Sequence, residues 1–319
     1  MLPPTISIVT SCYKGLPYLA SFLKNLSCQS IFQQCELILV HNEPHPEEIA
    51  IIQQYHSKYP DQLKHILVKP VELLAASWNR GWKASSGEFV AIWNVDDLRE
   101  NSSLERQLSM LRRFPGAAMT YGDFIETKEY GVKTGTWYST PAFTRKAFAR
   151  EILSGGAFLL FRKAACSSAG PFDEQFKCCV DFEYTIRLVL SGKTFIRTDG
   201  LIGYFTNEHR GLSSEKGDVL RQTEDTVLQL RYGIFDRIKS EWLKPARAYR
   251  IDKILQGDRW IEVSQYLENY SDFIKNRKSL WWVGRGKNFI RHILVLLGIW
   301  DYCVVSKMRL SGKIHDHVE

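Results

Sequence analysis

The chain has 319 residues, 45% hydrophobic and 24% charged, with a formal charge of +7 at pH 7. These figures exclude a disordered or low-complexity protein and leave room for one large α/β domain with an appendage. They do not support a general nucleic-acid-binding surface, because the excess charge is local: between Phe273 and Lys313 nine Lys or Arg accompany a single acid, Asp301.

Thr5-Ile6-Ser7-Ile8-Val9-Thr10 reads as a first strand, and the spacing of Leu19, Phe22, Leu23 and Leu26 predicts a helix over 16–26. Glu36-Leu37-Ile38-Leu39-Val40 has the continuous apolar character of a parallel strand covered on both faces, with a crossover helix expected over 46–59. His65 to Val68 gives a third strand, 73–84 a helix closed by Gly87, and Phe89 to Asn94 a fourth strand. Strands and helices in this order specify a doubly wound, Rossmann-like half. After a helix expected over 101–114 the pattern loosens through Tyr121, Trp137 and Pro141, as where strands change direction and loops lengthen. Residues 155–161 read as a further strand and Asp181 to Leu190 as a helix stopped by Gly192. From Lys216 onward the pattern turns helical, with Val227, Leu230, Ile234 and Ile238 marking one face. No Gly/Ser or Pro-rich linker intervenes, so this region is expected to pack on the α/β part.

The seven cysteines are odd in number, form no C-x-x-C pair and mostly sit in apolar runs, which points to buried thiols in a reducing compartment, the cytoplasm. Adjacent Cys178 and Cys179 are poorly placed for a disulfide and are read as packing residues. The N-terminus has no basic segment leading into an apolar one, so a secretory signal is not expected.

The most informative feature is the end of the fourth strand, Trp93-Asn94-Val95-Asp96-Asp97. Open α/β sheets present their ligand crevice at strand C-termini, and carboxylates clustered there can hold a hard divalent cation against a diphosphate. Other segments accompany it in order: Ser7 to Tyr13, Leu26-Ser27-Cys28-Gln29, Ser77-Trp78-Asn79-Arg80-Gly81, Ser86-Gly87-Glu88-Phe89, Gly170-Pro171-Phe172-Asp173-Glu174, and Asp181 with Arg187 on the next helix. Together they resemble a family 2 glycosyltransferase of the GT-A fold, over about Thr5 to Ser214.

The resemblance implies a mixed α/β sheet flanked by helices and an inverting transfer of sugar from a nucleotide-sugar donor to a saccharide or lipid-linked acceptor. It also implies Mg²⁺ or Mn²⁺ as cofactor, with Asp97 and His209 as metal ligands and Asp96 near the donor ribose. Asp181 matches the catalytic acid and is the expected general base, with helix N-cap as its alternative role and Glu183 as the alternative base. Thr10, Ser11, His41, Asn79, Asn94 and Arg210 are expected around the donor, and Asp173 and Glu174 beneath the acceptor. Four positions depart from the family pattern. Asn94 and Val180 replace acids, His41-Asn42-Glu43 replaces an Asp-rich turn, and Trp78 stands where Arg is common.

Residues 1–215 are thus expected as the GT-A domain and 216–319 as a helical extension with a basic, aromatic tail. The apolar run from Ile293 to Trp300 is far short of the ~20 residues a spanning helix needs. With Trp281, Trp282 and the cations of 273–313, it reads as an interfacial helix for an anionic membrane surface, or else as a packed core helix. Two other functions remain open: a degenerate GT-A domain that binds nucleotide sugar or glycan without turnover, and a nucleotidyltransferase. Against the latter, only Lys14-Gly15 follows the first strand where a glycine-rich phosphate loop is expected.

Overall fold

The structure, a computed structural model, describes residues 3–145, 158–208, 219–233 and 240–272, with seven further residues between 289 and 299. Its first half alternates as the sequence predicts: β1 (Ile6–Cys12), α1 (Leu16–Ser27), β2 (Cys35–Asn42), α2 (Pro46–Lys58), β3 (Leu63–Val68), α3 (Leu74–Ala84) and β4 (Phe89–Ile92). Then follow β5 (Leu98–Arg99), α4 (Ser103–Arg113), β6 (Ala117–Thr127), β7 (Thr136–Tyr138), β8 (Leu160–Arg162) and α5 (Lys163–Cys166). The remaining elements are α6 (Val180–Leu190), β9 (Thr194–Thr206), α7 (Val219–Tyr232), α8 (Ser240–Ala246) and a hairpin of β10 (Lys253–Gln256) and β11 (Arg259–Glu262).

The main sheet runs β3-β2-β1-β4-β8-β6-β9-β5, with β7 on β6. Pairing is parallel from β3 through β4 and antiparallel where β8 enters beside β4. The parallel strands are covered on both faces, which is why β2 is buried at all eight positions. Side chains alternate between two cores with the pleat. Ile6, Ile8, Phe89 and Ala91 join Leu19 and Phe22 of α1 and Leu104, Leu108 and Leu111 of α4. Val9, Val90 and Ile92 face the other way, toward Trp78 of α3 and Tyr184 and Ile186 of α6.

The expected packing of the extension on the α/β part is observed. Val227 and Leu228 of α7, Ile254 of the hairpin, Val263, Leu267 and Tyr270 all belong to the same core as α3 and α6. The hairpin itself corrects the expectation of an all-helical extension, since the turn at Gly257, with φ +61, returns the chain as a strand. The expected boundary at 215/216 lies outside the described residues. Gly170, at φ +73, begins the corner before α6, and a Cβ there would stand 2.3 Å from the Tyr266 ring, so this junction tolerates only glycine.

The extension is keyed in by Arg231. Its guanidinium is fully enclosed, 2.7 Å from Asp173 Oδ2 and 3.1 Å from Glu183 Oε1, and donates to the carbonyls of Arg250, Ile251 and Lys253 at 2.7–2.9 Å. Glu183 also accepts from Arg187 and from the Tyr232 hydroxyl. Removing one partner of such a cluster strands a charge without solvent. Arg231→Met should therefore lose about 3–5 kcal/mol of unfolding free energy, read as a lower urea midpoint; an unchanged midpoint would show that the cluster contributes nothing net.

Candidate active site

The parallel strands β1, β2 and β4 end on the same edge of the sheet, with Cys12 opposite His41 and Val9 opposite Ile92. Beyond β4 the chain turns sharply, and Trp93 holds the turn. Its indole is fully buried, packs edge-on against Phe22 with centroids 5.2 Å apart, and donates to the Asp97 carbonyl at 3.0 Å. The strand stops at Ile92, two residues short of expectation, because the backbone past Trp93 closes this turn instead: the Asp97 amide donates to the Asn94 carbonyl at 3.2 Å.

The turn gives the two adjacent acids different surroundings. Asp97 is 1% exposed; Oδ1 accepts the Thr206 amide at 3.1 Å and Oδ2 the Asn94 side-chain amide at 3.2 Å. Burial, with Asp96 alongside, pushes its carboxyl well above the usual range. These bonds tie the β4 turn to the end of β9 and leave Asp97, expected as the metal ligand, more enclosed than its neighbour Asp96. Asn94, expected at the donor, spends its amide on Asp97. Asp96 is half-buried, and no other side chain among the described residues donates to it. Burial raises its carboxyl too, and the charge of Glu208 adds to the effect. A half-buried carboxylate that accepts from no side chain among the described residues suits a hard cation, and Mg²⁺ commonly takes only one or two protein carboxylates together with substrate phosphates. The residues therefore fit Mg²⁺ or Mn²⁺, with Asp96 as the available ligand. Glu208 is held in place by the Tyr18 hydroxyl at 2.8 Å and the Tyr130 amide at 3.0 Å.

At the end of β1, Thr10 Oγ1 is buried without a partner among the described residues, and Ser11 is half-exposed beside it. Asn42, not singled out from sequence, joins this floor. Its amide lies 3.5 Å from Ser11 Oγ and 3.0 Å from Ser77 Oγ, while its carbonyl accepts the Glu72 amide at 3.0 Å. Arg80 forks onto Glu72 at 2.7–3.3 Å and completes the chain. His41, expected at the donor, has its ring fully buried, 3.3 Å from Glu48 and 3.1 Å from His65. His41 and Asn42 are adjacent in the chain, but strand alternation sends their side chains to opposite faces.

Asn79, Asp173 and Glu174 come together, though as a structural joint. Asn79 donates to the Phe172 carbonyl and Glu174 Oε1 and accepts the Phe172 amide, all at 2.8–2.9 Å. Asp173 is fully enclosed against Arg231 and accepts the Leu255 amide at 2.9 Å; Glu174 accepts the Gly257 amide at 2.7 Å. Asn79, expected near the donor, and Asp173 and Glu174, expected as a corner beneath the acceptor, are thus all paired inside the fold.

Asp181 is the second residue of α6 and is not its cap, which is Cys179. It is half-buried, and desolvation raises its carboxyl to about 6 against the opposing pull of the Phe182 amide, its own amide and the Arg221 charge. Glu183, two residues on, is buried more completely. There Arg187 and Arg231 outweigh the desolvation, so its carboxyl falls below the usual range. His209 and Arg210 lie outside the described residues.

Residues 7–166 match glycosyl transferase family 2, half of the chain. A putative glycosyltransferase of Bacillus subtilis, EpsE, is 28% identical over 130 residues, which span 41% of this chain and 46% of that protein. In fold, the chain is similar to S. aureus TarS 1–349 in complex with UDP-GlcNAc, at TM-score 0.60 and 18% identity, with 89% of this chain and 88% of that one covered. It is also similar to the mannosyltransferase PcManGT of Pyrobaculum calidifontis in complex with GDP-Man and Mn²⁺, at TM-score 0.54 and 11% identity, covering 99% and 82%. The mixed sheet is therefore the GT-A arrangement that the family resemblance implies. By the match over its N-terminal half, the chain belongs to glycosyl transferase family 2.

Proposed function

We propose that this protein is an inverting glycosyltransferase that moves a sugar from a nucleoside-diphosphate donor to a hydroxyl of a saccharide or lipid-linked acceptor, with Asp181 as general base. The observation that carries the reading is the contrast on α6: Asp181 has its carboxyl raised to about 6, while Glu183 is fully consumed by structural ion pairs. A base whose pKa lies near the working pH is half-prepared to take a proton and strong enough to pull it. The donor class is supported by the fold shared with TarS, solved with UDP-GlcNAc, and PcManGT, solved with GDP-Man and Mn²⁺.

In this reading Thr10, Ser11 and Asn42 floor the nucleotide end of the crevice, and Asp96 meets the diphosphate end. A bound Mg²⁺ or Mn²⁺ held by Asp96 supplies charge neutralisation of the departing diphosphate. Asp181 accepts the acceptor hydroxyl proton as the new bond from that oxygen to the anomeric carbon forms and the bond to phosphate breaks. A single displacement inverts the anomeric centre and needs no covalent intermediate. The tail fits attachment to the inner face of an anionic membrane: Phe289, Leu296 and Leu297 are 64–75% exposed, and no helix among the described residues is long and apolar enough to cross a bilayer.

Asp181→Asn should keep the donor-induced thermal shift and lose turnover by about 10²- to 10⁴-fold; full turnover would reject the base. Wild-type turnover should rise with pH through about 6 and then level. The same carboxyl sets a stability window. Raised from 3.8 to about 6, it holds its proton longer in the native state, so its penalty is absent well below 3.8, grows between 3.8 and about 6 and stays constant above. Asp181→Asn should accordingly melt higher than wild type at about pH 7.5 and equally at about pH 3.

A thermal-shift panel of UDP, GDP, dTDP and CMP sugars with and without Mn²⁺ identifies the donor class by mass action. In that panel Asp96→Asn should abolish the Mn²⁺-dependent part of the shift, whereas Asp97→Asn should lower the melting temperature without ligand; the reverse pattern would return the metal to Asp97. Removing residues 273–319 should release the protein from anionic vesicles in a sedimentation assay, and continued pelleting would place the contact elsewhere.

A further inference from the structure

We propose that Cys12, His41 and Glu48 form a buried site for a divalent transition-metal cation of the zinc type, separate from the cation at the diphosphate. The three side chains arrive from three elements. Parallel pairing sets Cys12 opposite His41 at the ends of β1 and β2, and Glu48 is the third residue of α2. A thiol sulfur, an imidazole nitrogen and a carboxylate oxygen lie within 4.8 Å of one another, and each residue is at most 1% exposed. That donor set suits Zn²⁺, whereas Mg²⁺ and Ca²⁺ take oxygen alone.

A second, independent observation points to a ligand. Glu48 Oε2 accepts the His45 amide at 2.7 Å as part of a capping box and lies 3.3 Å from His41 Nε2. Glu48 Oε1 is buried with no partner among the described residues, aimed toward Gly15, where a Cβ would stand 3.7 Å from it and 2.5 Å from Cys12 Sγ. Capping accounts for one oxygen and leaves the other in a dehydrated position that buried carboxylates avoid. His41 also has the outer partner that a metal-bound imidazole uses: Nδ1 lies 3.1 Å from His65 Nε2. With the proton on Nδ1, donated to His65, the Nε2 lone pair faces the Glu48 carboxylate, and a cation between them resolves two opposed acceptors. Binding replaces the Cys12 S–H bond with a sulfur–metal bond and releases that proton to solvent.

The other grouping of this kind, Cys178, Cys179 and Glu224, lacks the second observation. Glu224 accepts the amides of Lys177, Cys178 and Cys179 at 2.8–2.9 Å and the Tyr249 hydroxyl at 3.0 Å, so its oxygens are already satisfied.

The full chain, stripped with chelator and then equilibrated with Zn²⁺ alone, should retain about one equivalent after dialysis, as a preformed site would, and Cys12→Ser and Glu48→Gln should each lose it. Co²⁺ in place of Zn²⁺ should show thiolate-to-cobalt charge-transfer absorption, absent in Cys12→Ser and unchanged in Cys178→Ser. His65→Leu should weaken zinc binding by about 10- to 100-fold through loss of the outer partner. A folded wild-type chain that holds no zinc, or zinc whose binding survives both Cys12→Ser and Glu48→Gln, overturns the site in favour of a metal-free hydrogen-bonded cluster. If those variants fail to fold, the wild-type cobalt spectrum decides: no thiolate band, no site. None of these readouts depends on sugar transfer, so the two proposals fail separately.

Discussion

A guanidinium can be stripped of water only where its five donors and its charge are both met, and Arg231 satisfies this condition with two carboxylates and three backbone carbonyls. These partners come from three pieces of the molecule. Asp173 sits at the corner before α6, Glu183 on α6 itself, and residues 250–253 lead into the hairpin. One side chain therefore sets how the C-terminal segment meets the helix that carries Asp181. The region matched to the family ends at 166, before any of these residues, so the half of the molecule holding the proposed base is fastened by contacts outside the matched stretch.

The same residue types take opposite parts according to their surroundings. Asp97 and Glu183 are enclosed and accept hydrogen bonds from the fold; Asp96 and Asp181, one and two residues away, are half-buried and leave oxygen unclaimed by side chains among the described residues. Burial raises the carboxyls of Asp96, Asp97 and Asp181, and only at Glu183, where Arg187 and Arg231 are close, is the acid left as a stable ionised strut. Of the three raised acids, Asp96 and Asp181 are the half-buried ones, and they keep an elevated affinity for a proton or a cation where chemistry can use it.

Much of this was legible in the residues. The continuous apolar run at 37–40 announced a buried parallel strand, Ile6, Ile8 and Val9 marked another beside it, and open α/β sheets place their crevice at such strand ends. What sequence could not resolve was direction. Asp96 and Asp97 are adjacent in a turn, where no periodicity says which faces inward; the Thr206 amide that claims Asp97 is 109 residues away. His41 looked available because Glu48, which covers it, acts through the start of α2, a tertiary placement. Asp173 and Glu174 read as a corner beneath the acceptor, but nothing local said that Arg231 and the amides of Leu255 and Gly257 would be their partners. The hairpin was hidden by short, mixed-polarity strands, although Gln256-Gly257-Asp258 carries a turn signal.

The long reach of the Arg231 cluster has a consequence for biosynthesis. Asp173 emerges from the ribosome well ahead of Arg231, the cation that pairs with it, and the carbonyls at 250–253 follow later still. The parallel strands can condense early from neighbouring segments, and Glu183 has Arg187 on its own helix, but the corner before α6 cannot bury Asp173 on the nascent chain without stranding a charge. Completion of the second half is thereby tied to translation of the C-terminal third. A prematurely terminated chain would keep α6 loose and open to proteases, which offers the cell a simple way to discard unfinished copies.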